Sequence, residues 1–187
     1  MSFGALDPAG SWLRVWTRKA GLLARAAHDL CLESRAVQVE VSAAGAELVV
    51  RAVVPVDSLR VLGQVLAGGR VEPLRPADHQ EIEANLRGPR VLDAARFPAA
   101  RWEGRGPLPG GPGPWRPEGR LEVRGRAVPL ALPVRLSAGP EGLLVEGEVE
   151  LRQTALGIEP FSALLGALKV KDELRVGWSL RWPGGKL

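Results

Sequence analysis

A repeat of two residues runs through most of this chain, and it restricts the fold more than any other feature. Val37, Val39 and Val41 alternate with Gln38, Glu40 and Ser42. Val128, Leu130, Leu132, Val134 and Leu136 form one face of a longer segment. Val145, Val149 and Leu151 alternate with Glu146, Glu148, Glu150 and Arg152. Leu174, Val176, Trp178, Leu180 and Trp182 alternate with Glu173, Arg175, Ser179 and Arg181. Successive side chains of a strand point to opposite faces, so each segment has one apolar and one wet face. Antiparallel sheets with one solvated side have this pattern.

Short turn sequences separate the segments: Ala43-Ala44-Gly45, Arg124-Gly125-Arg126 and Ser137-Ala138-Gly139-Pro140. The pattern predicts about eight strands, at 12–18, 21–33, 36–43, 46–56, 99–105, 118–124, 127–137 and 143–152, with a ninth candidate at 172–182. The expected fold class is all-β: an extended, lipocalin-like antiparallel β-barrel with one or two short helices. Eight strands enclose an interior that side chains fill or that holds one small ligand. The 187 residues suit one domain over 1–187, with its core at about 12–182.

Three segments leave the pattern. Asp78 is placed to cap a helix running to Leu86 or Arg87, with Ile82 and Leu86 on one face, and Gly88-Pro89 stops it. That helix is expected across one barrel opening. Phe161 to Leu168 (FSALLGAL) is short and apolar and reads as a helical turn plugging one mouth. Residues 106–117 (GPLPGGPGPWRP) read as neither strand nor helix but as a long mobile hairpin loop. Trp115 leaves open whether this loop is a lid.

Composition removes several functions. No apolar run reaches 18 residues, so no helical membrane span is expected. The first residues, MSFGALDPAGSWLRVW, lack the pattern of a secretory signal. Cys31 is the one cysteine, which fits a reducing compartment and reads as a small core residue. The expected location is cytoplasmic. Net charge is +4, and nine arginines lie between Arg87 and Arg126. They alternate with apolar residues and with glutamates, as on the wet face of strands, so no nucleic-acid partner is expected. Only His28 and His79 are available as histidine ligands, and no CxxC, HExxH, GxSxG or phosphate-loop motif occurs. No metal, no cofactor and no catalytic residue is expected. On a strand, His28 shares its face with Leu22, Ala24, Ala26, Leu30 and Leu32, while Asp29 points the other way. His28 is therefore either a core residue satisfied by protein groups or a contact to a ligand head group. His79, in the first helical turn, is expected to be exposed.

An ordered set of motifs resembles the YceI-like lipid-binding family. Its parts are Val56-Asp57-Ser58-Leu59, Asp78 with Glu81, Leu86-Arg87-Gly88, Val91-Leu92-Asp93 and Arg96-Phe97-Pro98. They continue with Glu118 to Gly125, Val128 to Val134, Leu156-Gly157-Ile158 and the closing Val170 to Leu180. The order holds over roughly residues 12–182. The chain differs in having Ala155-Leu156 and Val91-Leu92 where the family usually has aromatics, and in its proline-rich 106–117. The resemblance implies an elongated apolar cavity that sequesters a polyisoprenoid or isoprenoid-quinone-like lipid, as a carrier or buffer and not as an enzyme. Many members are periplasmic.

The ligand contacts expected on this reading are His28, Leu30, Val54, Phe97, Trp102, Leu132, Val134, Phe161, Leu165, Trp178 and Leu180. Small residues on the inward face, Ala24, Ala26, Ala100, Gly104 and Gly147, either leave room or simply oppose large ones. Burial is worth about 0.8 kcal/mol per CH₂, so a few isoprene units offset an association cost of about 4–15 kcal/mol. The alternative is a structural or partner-binding β domain with a filled core, which a continuous cavity would distinguish. Homodimerisation is left open.

Overall fold

The computed structural model describes residues 5–20, 29–163 and 168–185. The alternating segments form strands. In chain order these are β1 (Trp12–Trp16), β2 (Lys19–Ala20), β3 (Leu30–Ser34), β4 (Gln38–Ala44), β5 (Glu47–Pro55), β6 (Arg60–Val65) and β7 (Val71–Glu72). After helix α1 (Pro76–Arg87) follow β8 (Ala99–Pro107), β9 (Gly113–Trp115), β10 (Glu118–Val123), β11 (Arg126–Pro129) and β12 (Val134–Gly139). The last are β13 (Gly142–Arg152), β14 (Ser162–Ala163), β15 (Leu168–Val170) and β16 (Glu173–Trp182).

All ladders are antiparallel. One sheet runs β7-β6-β3-β1-β16-β13-β12-β9, a second β11-β10-β8-β5-β4, and a small third β14-β15-β2. Where about eight strands and a ninth candidate were expected, the described residues hold sixteen segments: expected strands break where they pass between sheets, as 127–137 does into β11 and β12, and other segments lie where no strand was expected. The seam of β9, β10, β11 and β12 shows how. Leu121 faces Val128 in one sheet, and Trp115 faces Val134 in the other. Between them the Leu130 and Leu132 amides donate to the Gly119 and Pro117 carbonyls at 2.8 and 3.1 Å. One register therefore carries through both sheets.

The opposite corner lies between β3 and β4 and between β5 and β6. Ser58 Oγ donates to the Pro55 carbonyl at 2.6 Å, which makes Ser34 Oγ the donor in its own 2.6 Å contact with Ser58. Ser34 Oγ also accepts from the Ala36 amide at 3.2 Å. Side-chain hydroxyls thus satisfy groups that the broken ladder leaves unpaired.

Four further expectations change. Residues 106–117 are not only a loop. Gly113–Trp115 is an edge strand, which tolerates Pro114 because an edge residue can lack its donor. The expected helical plug at 161–168 has strands at its described ends, Ser162–Ala163 pairing with Leu168–Val170. Arg60–Val65, with its weaker alternation and Gly63, is a strand that the periodicity did not show. The helix begins at Pro76, whose fixed φ suits the first helical position. The helix N-cap is Arg75 and not Asp78 as expected, and the Arg75 side chain makes no capping bond. Instead Asp78 receives Arg75 at 2.7 and 2.9 Å.

Candidate functional site

The inward faces of both large sheets line a cavity of about 670 Å³. On β16, Trp178, Leu180 and Trp182 are buried, as the alternation requires. The opposite face is outer. There Arg175 stacks on Trp16 at 4.2 Å and Arg14 on Trp12 at 4.5 Å from the ring centroids.

The two ends of the cavity differ. Leu143 pairs with Trp182 at one end of the β13–β16 ladder. Leu48, Trp115 and Leu136 complete an apolar wall there. Trp115 Nε1 donates to the Pro107 carbonyl at 2.8 Å, so the indole belongs to the wall and is not a free lid. The other end lies beyond the Arg152–Glu173 pair. Thr17, Gln153, Glu159 and Lys169 reach the cavity there, and so does α1, through Arg75, Asp78, Glu81, Ile82, Asn85 and Leu86.

Arg124, at the turn between β10 and β11, fixes this end. Its guanidinium donates to the carbonyls of Pro89 at 2.7 Å, Arg90 at 3.4 Å and Gly157 at 3.3 Å. It thus joins the segment after α1 to the Thr154–Leu156 turn. Val123, Leu156 and Ile158 form a small buried cluster beneath, with Val91, Leu92 and Ala100 against it.

The helix is held to the sheet mainly through polar side chains. The strand ladder leaves the Val61 backbone open on one side, and α1 completes it. Glu83 Oε1 accepts the Val61 amide at 3.0 Å, and His79 Nε2 donates to the Val61 carbonyl at 2.8 Å. Arg87 donates to the Leu59 carbonyl at 3.3 Å and to Glu83 at 3.0 Å. These residues lie four apart and share one helix face. His79, expected to be exposed, is half-buried in this row. Burial pushes the Glu83 carboxyl up. The Val61 amide, Arg87 and His79 outweigh that and hold it below its ordinary value near 4.5.

Of the expected contacts, Leu30, Val54, Trp102, Leu132, Val134, Phe161, Trp178 and Leu180 all lie on this cavity wall. His28 and Leu165 are outside the described residues, as are Ala24 and Ala26. Phe97 is not on the wall. It lies over the β10–β11 turn, where a Cβ on Gly125 would meet its ring at 2.8 Å, and Arg96 stacks on it at 5.2 Å. Of the two readings of the small inward residues, Gly104 and Gly147 follow the second, opposing large side chains. They seat the indoles of Trp102 and Trp178. The alternation did not single out Leu48, Trp115 and Leu143 as wall residues, since inward position alone does not tell which side chains face a void. Among the described residues, no group of three His, Cys, Asp or Glu is close enough to hold a metal ion, and no helix is long and apolar enough to cross a membrane.

No curated protein matches the chain significantly. A solved structure, BcnA from Burkholderia cenocepacia, is similar at 15% identity with a TM-score of 0.67. The similarity covers 94% of this chain and 98% of that one. The YCEI protein of Campylobacter jejuni is similar at 10% identity with a TM-score of 0.49, over 68% of this chain and 70% of that one. At the level of sequence, the YceI-like domain pattern matches residues 6–181, nearly the whole chain. The chain therefore belongs to the YceI-like domain family.

Proposed function

We propose that this protein sequesters a long apolar lipid of the isoprenoid class and acts as a carrier or buffer, not as a catalyst. The carrying observation is the cavity of about 670 Å³ between the inner sheet faces, apolar at one end and polar only toward the other. On this reading the sheets, continuous through their bent strands, work as one extended barrel wall around the ligand. The volume lies within the range of known ligand pockets, about 300–1,000 Å³. A domain with a filled core would leave no such space, because protein interiors are close-packed. The YceI-like family, known for binding polyisoprenoids, supports the same reading.

Burial of a chain along this wall supplies the affinity, since each CH₂ removed from water contributes about 0.8 kcal/mol. Polar groups at the helix-covered end suit a head group that needs hydrogen bonds. Native mass spectrometry of the purified protein tests this. A bound species that releases an isoprenoid on denaturation is expected. A protein that carries no lipid, and takes up no isoprenoid alcohol when one is supplied, overturns the reading.

A further inference from the structure

The rings of four tryptophans lie against glycines, and three of them, Trp102, Trp115 and Trp178, line the cavity. Trp115, beside Gly106, belongs to the end wall, and the other two lie along the sheets. A Cβ on Gly104 would stand 2.4 Å from the Trp102 six-membered ring, and one on Gly119 would stand 2.6 Å from it. A Cβ on Gly147 would stand 2.3 Å from the Trp178 ring. Gly147 is the direct cross-strand partner of Trp178, and Gly119 and Gly104 face each other on β10 and β8. The Trp102 indole also donates to the Leu130 carbonyl at 3.0 Å, just past the end of β11. A ring held to two glycines on neighbouring strands and to the backbone beyond them lies along the wall. It does not stand out into the space. Any larger residue at these glycines would push the indoles inward. The remaining pair, Gly177 with Trp16 at 3.1 Å, is on the outer face.

We infer that the recessed indoles of Trp102 and Trp178 are specificity-determining residues that widen the bore for a methyl-branched, unsaturated tail and select it over a straight saturated one. This rests on the lipid-binding reading above. The argument is one of fit. Each methyl branch adds cross-section at every unit of an isoprenoid chain. A straight chain in the same bore leaves gaps against the indole faces, and a gap of even half an ångström forfeits much of the dispersion attraction. Flat aromatic faces also pack well against the planar double bonds of an isoprenoid. The two indoles come from opposite sheets, so the bore is bounded by an aromatic face on each side.

The test is a competition on one sample between geranylgeraniol and a straight saturated C20 alcohol. A ratio of affinities does not depend on how much of the sample is folded. The wild-type protein is expected to favour geranylgeraniol at least tenfold. Trp102→Leu and Trp178→Leu should each lower the ratio at least threefold. Trp16→Leu, which removes the outer indole, should leave it unchanged. If the leucine variants do not fold, Trp102→Phe and Trp178→Phe replace them, and each should lower the ratio at least twofold. A wild-type ratio near one, or ratios in the inner variants equal to that of Trp16→Leu, overturns the inference while leaving lipid binding intact. Failure of both alcohols to bind the wild type overturns the lipid-binding reading, and this one with it.

Discussion

At one end of the cavity Trp182 and Leu143 are 4% and 2% exposed and pack into a cluster with Leu136, Leu180, Trp178 and Val134. At the other end α1 has no buried residue, although Ile82 and Leu86 reach the cavity. Its hold on β6 runs instead through His79, Glu83 and Arg87 to two backbone positions. The first end is stabilised by close packing, which is non-directional and insensitive to pH. The hold of α1 at the second rests on a few directional bonds, each contributing about 0.5–3 kcal/mol, beside the smaller Val123, Leu156 and Ile158 cluster. One chain thus builds a fixed floor and a less deeply packed cover. Local openings are drawn from the parts of a fold with few buried apolar contacts. Local opening is therefore expected at α1 before it reaches the Trp182 end.

The largest difference should come from truncating the floor. Trp182→Ala is expected to cost about 3–5 kcal/mol, which lowers Tm by roughly 6–20 °C for a chain of this size. Thermal unfolding followed by circular dichroism measures it. A loss below 1 kcal/mol would remove the contrast between the two ends.

The same kind of cut at the cover should be smaller and local. Glu83→Gln leaves the Val61 amide with a weaker acceptor and Arg87 with only the longer 3.7 Å pair to Asp57, for a cost of about 1–3 kcal/mol. Hydrogen exchange should show lost protection at Val61 and along α1, with β13 and β16 unaffected. A uniform loss over the whole chain would mean that cover and floor unfold as one unit.

Acid should separate the ends without mutation. The folded-state pKa of Glu83 lies below its ordinary value near 4.5. Its contribution is therefore complete above that value and is lost as pH falls through the lowered one. Val61 protection, corrected for intrinsic exchange rates, should fall as pH drops below about 4.5. The packing around Trp182, read by near-ultraviolet circular dichroism, should persist to lower pH. Glu83→Gln should remove this local pH dependence. If the variant keeps it, another carboxylate governs the cover.

The smallest effect concerns the exposed pair at the start of the helix. Arg75 and Asp78 have side chains 83% and 28% exposed, and such pairs contribute about 0–1 kcal/mol. Asp78→Asn should shift Tm by no more than roughly 2–4 °C. A larger change would show that the helix start bears more of the cover than the row on β6.

The strands with strong alternation, such as 38–44, 142–152 and 173–182, were legible because burial on one face fixes a period of two. Trp178 and Leu180 followed from it directly. Arg60–Val65 did not, since Gly63 and the register shift between Cys31 and Leu32 break its pattern. Gly113–Trp115 was hidden by glycine and proline, which read as loop until a neighbouring strand shows that an edge is wanted there. Phe97 misled because a conspicuous aromatic in a family-like motif was taken for a cavity contact, whereas it clamps a turn.

By itself the sequence determined the period, the antiparallel all-β class, the family and which face of each strong strand is buried. The family came from the order of short motifs; the rest follow from local geometry and from the water-avoidance of side chains two apart. Only the tertiary structure decided where strands bend between sheets, that Gly104 and Gly147 seat indoles, and that His79, Glu83 and Arg87 complete the edge of β6. Each of these depends on residues far apart in the chain meeting at one point, and no period along the sequence records such a meeting.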